Sequence, residues 1–135
     1  MLYWREHGSR LTRTDARYSV ENFLRVKAHF LVNGPLQDRD GLIVWGAGQT
    51  GRRLTRHIVR MGRPVDAFVD ISPRKIGSRM REAPVIGPDE LPSTWNRYRR
   101  PVLIVAVSSR GARKLIRQAL TDAGLSEVED YLCAA

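Results

Sequence analysis

Two short apolar runs without polar alternation stand out along the chain, Leu42-Ile43-Val44-Trp45 and Val102-Leu103-Ile104-Val105-Ala106-Val107. Runs of this length mark strands buried on both faces. Val65-Asp66-Ala67-Phe68-Val69-Asp70 reads as a second strand, Ala83-Pro84-Val85-Ile86 as a short one, and Asp130-Tyr131-Leu132-Cys133 as the last. Helical periods lie between them. From about Gln49 to Met61, Leu54, Ile58 and Met61 fall inward, Arg52, Arg53, Arg56 and Arg60 fall largely outward, and Gly62 ends the helix. Pro88-Asp89-Glu90-Leu91 reads as a single helical turn. Ser108 or Ser109 caps a further helix that turns Ala112, Leu115, Ile116, Ala119 and Leu120 inward and closes at Gly124. Ahead of the first strand, Ser19 is an N-cap and Asn33-Gly34-Pro35 a stop. Between them Val20, Phe23, Leu24, Ala28 and Leu31 share one helix face. Residues 1–17 show no period and read as an extended segment that leans on a neighbour.

Strands that alternate with helices give a parallel sheet with right-handed crossovers. The predicted architecture is therefore α/β: a small Rossmann-like three-layer domain over residues 41–135, preceded by an N-terminal arm and helix over residues 1–40.

Composition changes this picture little. At 42% hydrophobic and 27% charged residues, the chain has the balance of a globular domain. No apolar run reaches the roughly 18 residues of a membrane helix, and Met1-Leu2-Tyr3-Trp4-Arg5-Glu6-His7 has no apolar signal core. The single cysteine, Cys133, rules out an internal disulfide and a multi-cysteine metal site. A cytoplasmic location is expected. The net charge of +9 is carried almost wholly by arginine, Lys27, Lys75 and Lys114 being the only lysines. Arginine suits phosphate or carboxylate partners. Here the basic residues are spread along the chain and not interleaved with aromatics, which argues against nucleic acid.

The chemistry centres on Gly46-Ala47-Gly48-Gln49-Thr50-Gly51, a G-x-G-x-x-G turn that leaves a buried strand and opens a helix. Gly46 permits the tight turn, Gly48 lets backbone approach a pyrophosphate, and Gly51 lets the helix pack close to the strand. The helix N-terminus offers free amides to phosphate. Asp70, at the end of the next strand, would accept hydrogen bonds from a ribose diol and repel a 2′-phosphate, favouring NAD over NADP, a preference weakened by nearby Arg74. Ser108, Ser109 and Arg110 follow a central strand at its carboxyl end, where open α/β sheets bind ligands; Ser109 could instead simply cap its helix. The expected ligand is a nucleotide, either an NAD-type dinucleotide or a nucleotide-sugar. Coenzyme A stays possible because it presents the same pyrophosphate. No P-loop string occurs, and Thr50 stands where a methyltransferase turn would want another glycine.

Catalytic groups are harder to find. There is no Tyr-x-x-x-Lys pair, His57 reads as a surface or packing histidine, His7 and His29 lie in the arm, and Cys133 reads as a small core residue. Asp38-Arg39-Asp40 reads as a solvated turn. No catalytic residue and no metal ligand is assigned.

Several segments together resemble the C-terminal part of bacterial family 2 glycosyltransferases: Tyr3-Trp4-Arg5, Arg10-Leu11-Thr12-Arg13, Ala16-Arg17-Tyr18-Ser19, Phe23, Lys27, Val44–Arg53, Ala67–Gly77, Pro84-Val85-Ile86 and Ala106–Arg113. The resemblance implies an accessory nucleotide-binding domain of polysaccharide biosynthesis, trailing a catalytic domain that this sequence lacks. Partners would then be a nucleotide and either a glycosyltransferase catalytic domain or a second copy. Two other readings are a small NAD-dependent oxidoreductase completed by oligomerisation and an interaction module for nucleic acid or anionic surfaces.

Overall fold

The computed structural model describes residues 20–134. The expectations for Ser19 as a cap, for residues 1–17 as an extended segment, and for His7 lie outside the described residues. Helix α1 occupies residues 20–33. It is followed by β1 (Gly41–Trp45), α2 (Gln49–Arg60), β2 (Ala67–Val69), β3 (Arg79–Met80) and β4 (Ala83–Ile86). A 3-10 turn at Pro88–Glu90 leads into α3 (Leu91–Trp95), β5 (Pro101–Val105), α4 (Arg110–Asp122) and β6 (Tyr131–Cys133).

The sheet has the order β3-β4-β2-β1-β5-β6. All neighbours pair in parallel except β3 and β4, which form an antiparallel hairpin. β1 and β5 are buried at every position, as their unbroken apolar runs require. Consecutive residues point to opposite faces and separate two cores. Leu42 and Val44 join Leu24, Ala28 and Leu31 of α1 and Leu54 and Ile58 of α2, while Ile43 and Trp45 join Leu91, Ile116 and Leu120. Three layers result: α1 and α2, the sheet, then α3 and α4. The predicted Rossmann-like architecture is the one observed.

Several local expectations need correction. The connection from β2 to β4 carries a two-residue strand, β3, that the sequence reading did not include, and it forms a hairpin with β4. On α1, Leu24, Ala28 and Leu31 are buried as expected, but Val20 and Phe23 are 48% and 57% exposed. The buried arc is narrower than the apolar positions alone indicate, because the helix lies against the flat sheet on one side only. Asp38-Arg39-Asp40 is more than a solvated turn. Asp40 accepts the amides of Arg99 and Arg100 at 2.8 Å, and Arg39 donates to the carbonyls of Pro101 and Glu129. These bonds clasp the sheet at the amino ends of its strands, away from the glycine turn.

Candidate functional site

β2 and β5 flank β1, and their connections run over opposite faces of the sheet. Their carboxyl ends therefore diverge at β1, and a crevice opens there. The crevice has a volume of about 590 Å³, within the range of small-ligand pockets. Its polar end is formed by Gly46, Gly48, Gln49, Thr50, Asp70 and Ser108, and its apolar wall includes Trp45, Ile71, Val107 and Leu115. Leu115 was expected in the core but is 73% exposed; it faces this crevice while Ile116 and Leu120 take the core positions.

The glycines of the turn answer three different needs. Gly46 has φ +126°, and a Cβ there would lie 2.7 Å from the Ala106 carbonyl oxygen. A Cβ on Gly51 would lie 1.9 Å from the Gly46 carbonyl oxygen, so helix and turn could not close. Gly48 is different. Its backbone is extended, with φ −88°, and the one atom near an added Cβ would be Lys75 Nζ at 3.7 Å. Gly48 thus leaves space instead of relieving strain. It is also the N-cap of α2 and offers no side-chain cap, so first-turn amides stay available to an anion.

Asp70 organises the rim. One carboxylate oxygen accepts the Ala47 amide at 2.9 Å and the other accepts the Ser72 amide at 2.9 Å. The carboxylate therefore ties the glycine turn to the basic loop that follows β2. That loop folds back as a tight turn, with the Lys75 and Ile76 amides donating to Ser72 O, and Gly77 N donating to Val85 O. The Lys75 ammonium is thereby brought beside Gly48. Sequence reasoning missed Lys75, since nothing in the spacing of Ser72–Gly77 shows that this loop folds back on the turn.

At the second predicted cluster, Ser108 lines the crevice. Ser109 is the N-cap of α4, and its Oγ accepts the Ala112 amide at 3.4 Å. Arg110 is the first residue of that helix. His57 is buried on α2, where its Nε2 lies 2.7 Å from Glu21 Oε1, so it is a packing residue remote from the crevice. His29 is exposed on α1. Among the described residues there is no group of three or more metal-binding side chains, and no helix is long and apolar enough to cross a membrane.

The sequence profile of the CoA-binding domain matches residues 38–128, which include the whole crevice. The chain belongs to the CoA-binding domain family. As a CoA-binding domain it also resembles solved structures in fold. The repressor RSP, of the Rex family, is 18% identical in its complex with β-NADH, with a TM-score of 0.56 over 96% of this chain and 65% of that one. In another RSP structure the match covers 78% of this chain at a TM-score of 0.55, and this chain spans about half of that protein, 49%. RSP has also been solved with β-NAD+ and operator DNA. UDP-D-quinovosamine 4-dehydrogenase from Vibrio fischeri is 21% identical, with a TM-score of 0.52 over 69% of this chain and 75% of that one. No curated protein matches the chain.

These findings overturn the glycosyltransferase resemblance. The matching profile is that of the CoA-binding domain, and neither it nor these structures point to a family 2 transferase. The physical reason lies in where the similar segments sit. Val44–Arg53, Ala67–Gly77 and Ala106–Arg113 hold the strand ends and turns that rim the crevice, which a nucleotide-binding sheet of this topology needs whatever it is attached to. The segments from Tyr3 to Ser19 lie outside the described residues.

Proposed function

We propose that this domain binds an adenosine-diphosphate coenzyme across the glycine turn, coenzyme A before NAD, and acts as a ligand-binding unit. The observation that carries this reading is the open seat at Gly48, with uncapped helix amides on one side and the Lys75 ammonium on the other. The pyrophosphate would rest on the α2 amides, and Lys75 would neutralise one of its charges. The apolar wall of Ile71, Val107 and Leu115 suits an adenine ring. Coenzyme A carries one more phosphate group than NAD, and Lys75 with neighbouring Arg74 favours the more anionic ligand. The NAD-type reading rests on Asp70, whose carboxylate lines the same crevice and would accept a ribose diol.

Calorimetric titration of the full chain with coenzyme A, NAD, NADP and a nucleotide-sugar tests the reading. Coenzyme A is expected to bind most tightly. Lys75→Ala should weaken it by roughly tenfold to a hundredfold, in line with about 1.5–3 kcal/mol for a hydrogen bond to a charged group. Tighter binding of NAD would reverse the order of ligands. Silence from all four would remove the nucleotide reading.

A further inference from the structure

On the α2 side of the domain, the fold gathers arginines that the sequence scatters. Arg52, Arg56 and Arg60 follow one another at every fourth residue and so form a row along α2, about 12 Å long at roughly 1.5 Å per residue. Arg81 joins them from the β3–β4 hairpin. Its Nε donates to Thr55 Oγ1 at 3.1 Å and its Nη2 to the Arg52 carbonyl at 2.7 Å. Beyond Arg60, Arg25 of α1 lines a groove of about 340 Å³ between the two helices. Among the described residues a single carboxylate pairs with this group, Glu21 on Arg56 at 3.1 Å.

Two costs converge on Arg81. Both central residues of its hairpin turn, Arg81 and Glu82, have positive φ, +50° and +65°. Glycine or asparagine is the usual choice there, and another residue is strained by about 1–2 kcal/mol. Partial burial and then the charges of Arg56, Arg52 and Arg60 push the Arg81 guanidinium below its ordinary pKa. A bound polyanion would offset the repulsion among these four cations.

We propose that the row Arg52–Arg56–Arg60, with Arg81, is a docking surface for the phosphate backbone of double-helical nucleic acid. Some 12 Å of duplex presents about seven phosphates, one per roughly 1.7 Å, and guanidinium groups bind them bidentately. A membrane surface fits less well, because anionic bilayers are held by basic residues together with apolar ones on the same face. On the row's own face Val59 is the one large apolar side chain exposed among the described residues. The exposed phenylalanines are elsewhere: Glu21 faces α2, and Phe23, two residues on, lies roughly 200° further round α1.

The test is fluorescence anisotropy of the full chain with a labelled DNA duplex of about 20 base pairs, between roughly 50 and 200 mM salt. The expected slope of log affinity against log salt is about −3 to −4, for four phosphates neutralised. The double variant R52A/R60A should lose about two units of that slope and at least roughly tenfold in affinity. R52K/R60K should restore the slope, because it restores the charge, and circular dichroism should show all three proteins folded alike. An unchanged slope in R52A/R60A would place binding elsewhere and overturn the proposal. So would absence of duplex binding, or tighter binding to phosphatidylserine vesicles than to the duplex.

Discussion

Helices α2 and α4 both begin at the crevice, but their first turns are completed differently. α4 carries its own cap, since Ser109 accepts the Ala112 amide. α2 begins at Gly48, which has no side chain to give, and a cation stands 3.7 Å from where one would begin. A helix end capped by glycine instead of a hydrogen-bonding side chain forgoes roughly a few tenths of a kcal/mol of capping. The contrast teaches where a ligand belongs. The end that caps itself is structural, and the end left open is completed by an anion.

The comparison can be broken in several places, and the largest effect is expected at Gly51. Gly51→Ala drives a Cβ into the Gly46 carbonyl, so about 3 kcal/mol or more of stability should be lost, lowering Tm by some ten degrees. Thermal denaturation checks it, and a melt like that of the wild type would mean that the turn is looser than described. Gly48→Val should do the reverse. Its allowed φ keeps the loss of stability to about 1 kcal/mol, the cost of valine at an N-cap, while coenzyme affinity by calorimetry falls roughly a hundredfold, about 2.7 kcal/mol. Retained affinity in that variant would show that the pyrophosphate does not sit at α2.

Smaller effects sharpen the contrast. Ser109→Ala should cost about 0.5–1 kcal/mol of stability, the low end of the range because the bond is long, and leave coenzyme affinity unchanged. A several-fold loss of affinity would make α4 a second ligand-binding end. The smallest effect lies behind α2, where Glu21 of α1 meets His57 and Arg56. The hydrogen bond from His57, and then the charge of Arg56, hold the Glu21 carboxyl below its ordinary pKa, against the pull of desolvation. A carboxyl lowered on folding stabilises the fold above its unfolded pKa, and that contribution fades as pH falls through the lowered value. The Tm of wild type should therefore exceed that of Glu21→Gln near neutrality, and the two should converge on acidification.

Much of the fold was legible because its signals are local. The apolar runs at 42–45 and 102–107 announced doubly buried strands, and Gly62 and Gly124, both at positive φ, marked helix ends. The glycine turn was legible as well, because steric needs at Gly46 and Gly51 leave a fixed spacing. Lys75 was not, since its role depends on Asp70 tying two loops together across 23 residues. Leu115 was misplaced for a related reason: the helix period tells apolar from polar, but a core and an apolar crevice wall read alike. The hairpin at Arg79–Met80 was missed because two residues carry no period.

The sequence by itself determined the α/β class, the doubly buried strands β1 and β5 and the glycine turn, all encoded within windows of a few residues. Tertiary structure alone decided which side chains meet at the rim, that one helix end stays open while the other is capped, and that Arg81 joins the row on α2. Those are contacts between distant segments, and the free energy that fixes them comes from the packing of the whole sheet and not from any local preference.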